Sequence, residues 1–490
     1  MVAEKDSRFV GTREWSFRHD AVQRVAYGMI PEAARAPLHR EAARWLEQQG
    51  EPDPLALASH FERAGETARA KDYYADAAAR AAAAGDPRSA VRYYAESLGE
   101  GVAEIARVER VAALAAALIS VGRYDETRSR VEELLREPAV LESRLRRAEA
   151  LWLDGRALRA LGRFDEAVAR LEEARALLSG HPPSDLAFGV ERALFWALWI
   201  KGDYAAVAAI EPTMRELAAA IGRPDQLSEA ELAAASIHLL EGDLGQSVAL
   251  AELAVAHARE VQHRFREADA LLLLGSIDTI VGRFDAAREA LSATEALAKR
   301  MRAPYFLPNI AAARGYVDLL EGRPTEAEAR YADARAFAEA SGDLRCQAMA
   351  WAGMARAIVR QNPSEADLAR AAEGAARAVE LGAGQGQAIE AEARLAAMEV
   401  AIARRDAAGA AAHARASIDL LDALGTQEQF EIEILLAAHD SLSLAGDEED
   451  AAHLLRRASA RLRARAERIA DPAVRASFLE AVPHHRRLQG

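Results

Sequence analysis

A glycine recurs every 40 residues through the middle of this chain, at Gly122, Gly162, Gly202, Gly242, Gly282 and Gly322. Each opens a short turn sequence, as in Gly162-Arg-Phe-Asp-Glu-Ala or Gly202-Asp-Tyr. A fixed period of this length constrains the fold more than composition does, because it requires one supersecondary unit stacked on copies of itself. The same count lands on Asn362, an asparagine where left-handed backbone is expected. Further turns follow at Arg405-Asp406 and Gly446-Asp447. Upstream, Gly65 and Gly85 stand only 20 apart, so a single helix serves between those two turns.

The segments between turns carry helical periodicity. From Phe164 to Leu178, apolar residues fall at 164, 167, 168, 171, 174, 177 and 178, a 3.6-residue stripe opposite a charged face. The acids after the turn glycines, Asp125, Asp165, Asp203, Asp243 and Asp285, are expected to cap the following helix, where free N–H groups and the positive dipole end favour a carboxylate. Seven residues before each turn stand Gly155, Phe195, Ala235, Gly275, Gly315 and Ala355, and five after stand Ala167, Val207, Ser247, Ala287 and Ala327. Small side chains at both places predict helices in close approach, which explains mid-helix glycines that otherwise cost about 1 kcal/mol relative to alanine. Phe195 and Met398 depart from this rule.

The pattern of paired helices, Gly-x-aromatic turns and small packing positions resembles the tetratricopeptide repeat, lengthened from that family's usual period of about 34 residues. The resemblance implies an all-α, right-handed solenoid over residues 51–466, preceded by a segment 1–50 and followed by a capping helix and tail, 467–490.

Residues 9–50 do not fit the repeat. Phe9-Val10, a Gly11-Thr12 turn and Trp15-Ser16-Phe17 predict a hairpin, followed by an amphipathic helix from Ala21 and another over 31–49. Phe17-Arg18-His19-Asp20, Leu38-His39-Arg40 with Trp45-Leu46, and His60-Phe61 resemble the end of the winged helix and the first repeats of STAND-class signalling ATPases. The resemblance implies that the chain is the C-terminal portion of such a protein, split or truncated, and that His19 and Asp20 sense nucleotide, the imidazole reaching the phosphate of bound ADP. This chain has no Gly-x-x-x-x-Gly-Lys-Ser/Thr cradle, so that role requires an ATPase half as partner. The simpler reading makes His19 or Asp20 a helix cap.

Lys and Arg total 62 against 76 Asp and Glu, a net charge of −14 that excludes nucleic acid as the expected partner. A single cysteine, Cys346, the lack of a leader pattern near Met1, and apolar runs broken every few positions predict a bacterial cytoplasmic protein without membrane contact. Histidines stand singly except His484-His485, expected on a mobile tail, and no metal-ligand spacing, cofactor motif or catalytic constellation occurs. Gly382-Ala-Gly384-Gln-Gly386 lies between helical patterns and predicts a loop rather than a phosphate site.

Two stretches are candidate partner surfaces. Phe195, Trp196, Trp199 and Tyr204 concentrate aromatics in one repeat, either as an anchor for a protein or small ligand on the concave face or as filling for a packing gap. Arg456, Arg457, Arg461, Arg463, Arg465 and Arg468 make a basic helix, either a solvated cap or a surface for an acidic partner. The expected function is a non-catalytic sensor or regulatory module of a STAND-type ATPase or its output domain. The alternatives are a free-standing scaffold for protein assembly and a subunit of a split ATPase, kinase or cyclase.

Overall fold

Each of the six periodic turn glycines ends a helix in left-handed backbone, with φ between +73° and +79°. Asn362 takes the same conformation at +54°, and Arg405 at +57°. At Gly122, Gly162, Gly202 and Gly322 an added Cβ would meet nothing within 4 Å, so glycine is required there by the torsion alone. The computed structural model describes residues 2–5, 7, 9, 11–301, 303–424 and 430–489. Those residues form an α-solenoid of helix pairs and one antiparallel two-stranded sheet, Val2–Lys5 with Glu14–Phe17.

Capping follows the second turn residue more closely than expected. In Gly-Asp turns the acid is the N-cap: Asp203 accepts from the Ala206 amide at 3.2 Å and Asp243 from Gln246 at 3.2 Å. In the Gly-Arg turns at Gly122 and Gly162 the arginine holds the cap position, and Asp125 and Asp165 fall inside the first helical turn. They act there through the helix dipole, and Arg163 pairs with Glu166 at 2.6 Å instead.

Helix approach is governed by a complementary pair 16 residues apart. A Cβ at Gly155 would sit 2.6 Å from Leu171 Cγ, one at Gly275 3.0 Å from Leu291 Cγ, and one at Gly315 2.9 Å from the Tyr331 ring. Where the later residue is alanine, at Ala251 and Ala371, the earlier one is alanine too, at Ala235 and Ala355, and all four are buried. Met398 opposes Ala414 in the same register, so the large residue changes sides while the pair stays buried.

The chain divides into two compact units, residues 1–181 and 182–490. In the first, the hairpin's leading strand is Val2–Lys5 rather than the segment around Phe9; Val10 lies outside the described residues. Phe9 belongs to the connection, where its ring meets Trp45 edge-on at 5.3 Å and Ser7 Oγ and Thr12 Oγ1 hydrogen-bond at 2.7 Å. Ala43, Leu57, Phe61 and Ala70 form the core beneath the first helices. Farther along, the buried carboxylate of Asp154 joins Arg128 and Arg170 at 3.1 and 3.2 Å.

In the second unit the leading helices of five successive pairs are Asp185–Lys201, Pro224–Leu240, Arg264–Ile280, Leu307–Leu320 and Leu344–Val359. Gln387–Ala403 and Glu431–Ala445 continue that inner row. The C-terminal segment then returns to the middle of the unit. Arg468 donates to the Glu241 carbonyl at 2.5 Å, and at Gly282 an added Cβ would lie 2.7 Å from the Ser477 carbonyl oxygen.

Within the basic helix Glu448–Arg468, several arginines are engaged by acids of the same unit, whereas Arg456 and Arg463 are exposed. Arg457 meets Asp422 at 2.8 Å, Arg461 meets Glu431 at 3.0 Å, and the buried Arg465 meets Glu431 at 3.1 Å. Nor is the His484-His485 tail mobile: His485 is 3% exposed, and its Nδ1 lies 2.7 Å from the Phe478 carbonyl oxygen.

Candidate functional site

The inner helices of the second unit line a partly open cavity of about 310 Å³. Its walls come from positions that recur from repeat to repeat. Trp196, Ser236, Ser276 and Tyr316 line it, each 40 residues after the last, and the next position is Arg356. A second row comprises Asp269, Asn309 and Met349, again 40 apart, and Glu392, displaced to 43. The same three extra residues separate Ala355 from Met398, so Glu392 keeps the register of the row. Helices of 14 to 17 residues stacked in register turn a sequence period into a lined surface.

Of the aromatic group expected at a partner surface, Trp196 and Trp199 face the cavity, while Phe195 and Tyr204 are buried behind them. Phe195 packs edge-on to Trp196 at 5.1 Å and parallel to Trp199 at 5.9 Å, and Tyr204 meets Trp199 edge-on at 5.4 Å. The two rear rings fix the orientation of the two indoles. Phe430, before helix Glu431–Ala445, completes the aromatic wall and packs edge-on to Tyr316 at 5.2 Å.

The polar side of the cavity is backed by an ionic network. Arg356 is 2% exposed and held by Glu433 and by Glu399 at 3.1 Å, and Arg360 also reaches Glu399 at 2.8 Å. Tyr316 donates its hydroxyl to Glu433 Oε2 at 3.2 Å, which couples the cavity wall to the network. Burial works to raise the Glu433 carboxyl, but the charges of Arg356, His484 and Arg360 outweigh it and hold it down at about 2.

Two cavity acids behave in the opposite way. Burial pushes Glu392 up to about 7 and Asp269 up to about 6. Glu392 is 8% exposed. Asp269 keeps part of its surface open, and protein otherwise surrounds it. Neither residue was singled out by helical periodicity, since each is one of three acids on its helix, with Glu267 and Asp278 or with Glu390 and Glu399, and such acids read as solvated positions. Alignment of the inner helices at the 40-residue spacing is the signal that would have found them.

His19 and Asp20 belong to the first unit, and both are exposed. Asp20 begins the helix Asp20–Gly28, and His19 is its N-cap in extended backbone without a side-chain capping hydrogen bond. Gly382 ends helix Glu365–Gly382, and Gly384 and Gly386 lie in the connection to Gln387–Ala403. Cys346 is buried, and burial pushes its thiol up to about 12. Among the described residues no group of three His, Cys, Asp or Glu is arranged to hold a metal ion, and no helix is long and apolar enough to cross a membrane.

No protein-family model and no curated protein sequence matches the chain. It is similar in structure to the crystal structure of Rap protein complexed with competence and sporulation factor, with a TM-score of 0.56 and 14% identity over 74% of this chain and 99% of that one. It also matches a tetratricopeptide repeat protein from Parabacteroides merdae, with a TM-score of 0.39 and 12% identity over 57% of this chain and 98% of that one. Yeast Tom70 matches with a TM-score of 0.36 and 11% identity over 92% of this chain and all of the other. At these identities the likeness bears on fold, and the fold is a tetratricopeptide-type α-solenoid.

Proposed function

We propose that the chain is a non-catalytic, ligand-sensing solenoid whose second unit takes a small molecule or a short piece of a peptide into its interior. The observation that carries this reading is the cavity lined at the repeat period by Trp196, Ser236, Ser276 and Tyr316. Its volume lies at the low end of the roughly 300–1,000 Å³ of small-ligand pockets. A concave pocket of this size, lined by helices of one unit, suits a small ligand or a single peptide side chain. The Rap solenoid, solved with competence and sporulation factor bound, is in keeping with a ligand in a solenoid of this kind.

The finer reading makes the chain the regulatory module of a STAND-type signalling ATPase in a bacterial cytoplasm. A ligand that prefers one curvature of the inner helices would bias the N-terminal segment bearing His19 and Asp20, and the bias equals its differential affinity for the two curvatures. Support for this comes from the motifs around His19, His39 and His60 alone.

The test of the cavity is a thermal-shift screen of the purified chain against metabolites and short peptides, repeated on Ser276→Trp, which fills the cavity from an inner helix. Hits should raise the melting midpoint of the wild type and quench its tryptophan fluorescence, and Ser276→Trp should abolish both effects. Hits that survive Ser276→Trp unchanged would place binding elsewhere and defeat the proposal.

A further inference from the structure

Several buried acids among the described residues are paired. Asp154, Glu229, Asp278, Glu431 and Glu433 each have an arginine within ion-pair distance. Asp269 and Glu392, which line the cavity, are different: among the described residues neither has an ion pair or a hydrogen bond. The arginines that bear on Asp269, Arg192 and Arg266, are both committed to Glu229, at 3.1 and 2.8 Å. Near Glu392, Arg356 is engaged by Glu399 and Glu433, and Arg345 donates to Asn309 at 3.0 Å.

An uncompensated carboxylate is costly to bury, so a second unit that gives Glu229, Asp278, Glu431 and Glu433 an arginine each and leaves these two open to one cavity has a place for positive charge. The rest of the lining agrees. Indole and phenol faces attract cations, and Trp196, Trp199 and Tyr316 all line the same space. Leu232, Leu272 and Leu273 supply an apolar bed for an uncharged body.

We propose that the cavity is a site for an organic cation, an ammonium or guanidinium group carried on an apolar body, with Asp269 and Glu392 as its counter-charges and Trp196, Trp199 and Tyr316 as its aromatic walls. This rests on the ligand-sensing reading above and adds the chemical class of the ligand. The group belongs either to a free amine or to a lysine or arginine side chain of a short peptide. A cavity of about 310 Å³ admits either and excludes a folded partner.

The experiment is calorimetric titration with three probes of one shape and different charge: 2-phenylethylamine, 2-phenylethanol and phenylacetate. A capped pentapeptide with a central lysine flanked by leucines, and its counterpart with central glutamate, form the peptide arm. The amine should bind at least tenfold more tightly than the alcohol and phenylacetate least. In Asp269→Asn/Glu392→Gln the amine should fall to the level of the alcohol, while the alcohol is unchanged. Preference for the lysine peptide over the free amine assigns the source as a peptide, and the reverse order assigns a small molecule.

Equal binding of amine and alcohol to the wild type, both lost in Ser276→Trp, would overturn the cation and leave the cavity as a ligand site. Binding of none of the probes at millimolar concentration would overturn both. A melting curve of the double variant guards against misfolding, since near-isosteric amides that remove unpaired buried charge should hold or raise the midpoint at pH 8. A lowered midpoint would mean that the two carboxylates are compensated within the chain, and would also overturn the proposal.

Discussion

The ring of Tyr331 is held between Gly315 and Gly353, glycines of two successive inner helices, and a Cβ at either position would overlap it. Gly353 is the tighter of the two contacts. Because Tyr331 also lines the cavity, the clasp sets both packing and site shape. Gly353→Ala should destabilise the second unit by about 1–3 kcal/mol, as overpacking does, in spite of alanine's better helix propensity. Pairing it with Tyr331→Leu should restore most of that loss in a double-mutant cycle followed by denaturant unfolding. Additive losses would show that the two residues do not contact.

Substitution at the turn glycines should separate two demands that look identical in sequence. Gly162→Asn keeps a residue tolerant of left-handed backbone in open space, as Asn362 does, and should cost no more than about 1 kcal/mol. Gly282→Asn meets the Ser477 carbonyl oxygen and the Ala481 Cβ as well, so it should cost distinctly more and expose the C-terminal segment to protease. Thermal melts and limited proteolysis of the two variants provide the comparison, and equal effects would refute the tail contact.

Loss of Glu433 should be severe. Glu433→Gln leaves the buried Arg356 with reduced compensation and should cost about 3–5 kcal/mol, the usual scale for breaking a buried pair from one side. The folded-state pKa of Glu433 lies below its unfolded value, so its stabilisation is full above the unfolded pKa, near 4.5. That contribution falls away as pH drops from about 4.5 toward 2. Denaturant midpoints of wild type and variant should therefore converge across that window.

Asp269 and Glu392 carry the opposite sign. Their folded-state pKa values are raised, to about 6 and about 7, so the folded state binds protons more tightly than the unfolded chain. Their contribution to stability falls as pH rises from about 4 through 7 and is flat above that. Subtracting the pH profile of the wild type from that of Asp269→Asn/Glu392→Gln isolates these groups from the buried histidines, which titrate nearby with the contrary sign. The difference should grow in favour of the variant across that interval, and a difference independent of pH would count against the unpaired state of the two acids.

His19→Ala should leave the unfolding free energy of this chain unchanged to within about 0.5 kcal/mol, because the exposed imidazole makes no capping bond. In a longer protein that includes an ATPase half, the same change should accelerate ADP release roughly tenfold or more if the histidine reaches phosphate. Equal release rates would reduce His19 to a linker residue.

The helix pairs, their turns and the close approach at Gly155, Gly275 and Gly315 were legible because torsion and steric volume act locally and repeat at a fixed spacing. Asp125 and Asp165 were misplaced by one step, since whether an acid caps or enters the first turn depends on where the preceding helix stops. Trp196 and Trp199 drew attention by composition, whereas Asp269 and Glu392 did not. Their meaning depends on what fails to pair with them, and pairing is decided by residues of other helices, Arg192 and Glu229 for Asp269 and Arg356 and Glu433 for Glu392. The return of Arg468 to Glu241 and of Ser477 to Gly282 has the same character: no local pattern announces a contact across some two hundred residues.

That return has a consequence for how such a protein can change over generations. An open array lengthens or shortens by duplicating or losing a unit, because each copy answers only to its neighbours. Here the C-terminal segment must land on the turns near Glu241 and Gly282, and inserting one further helix pair between Gly282 and Ser477 would displace it by the reach of a whole repeat. Copy number in the second unit is thus frozen by closure, and variation is left to the identity of the residues that line the rows rather than to how many rows there are.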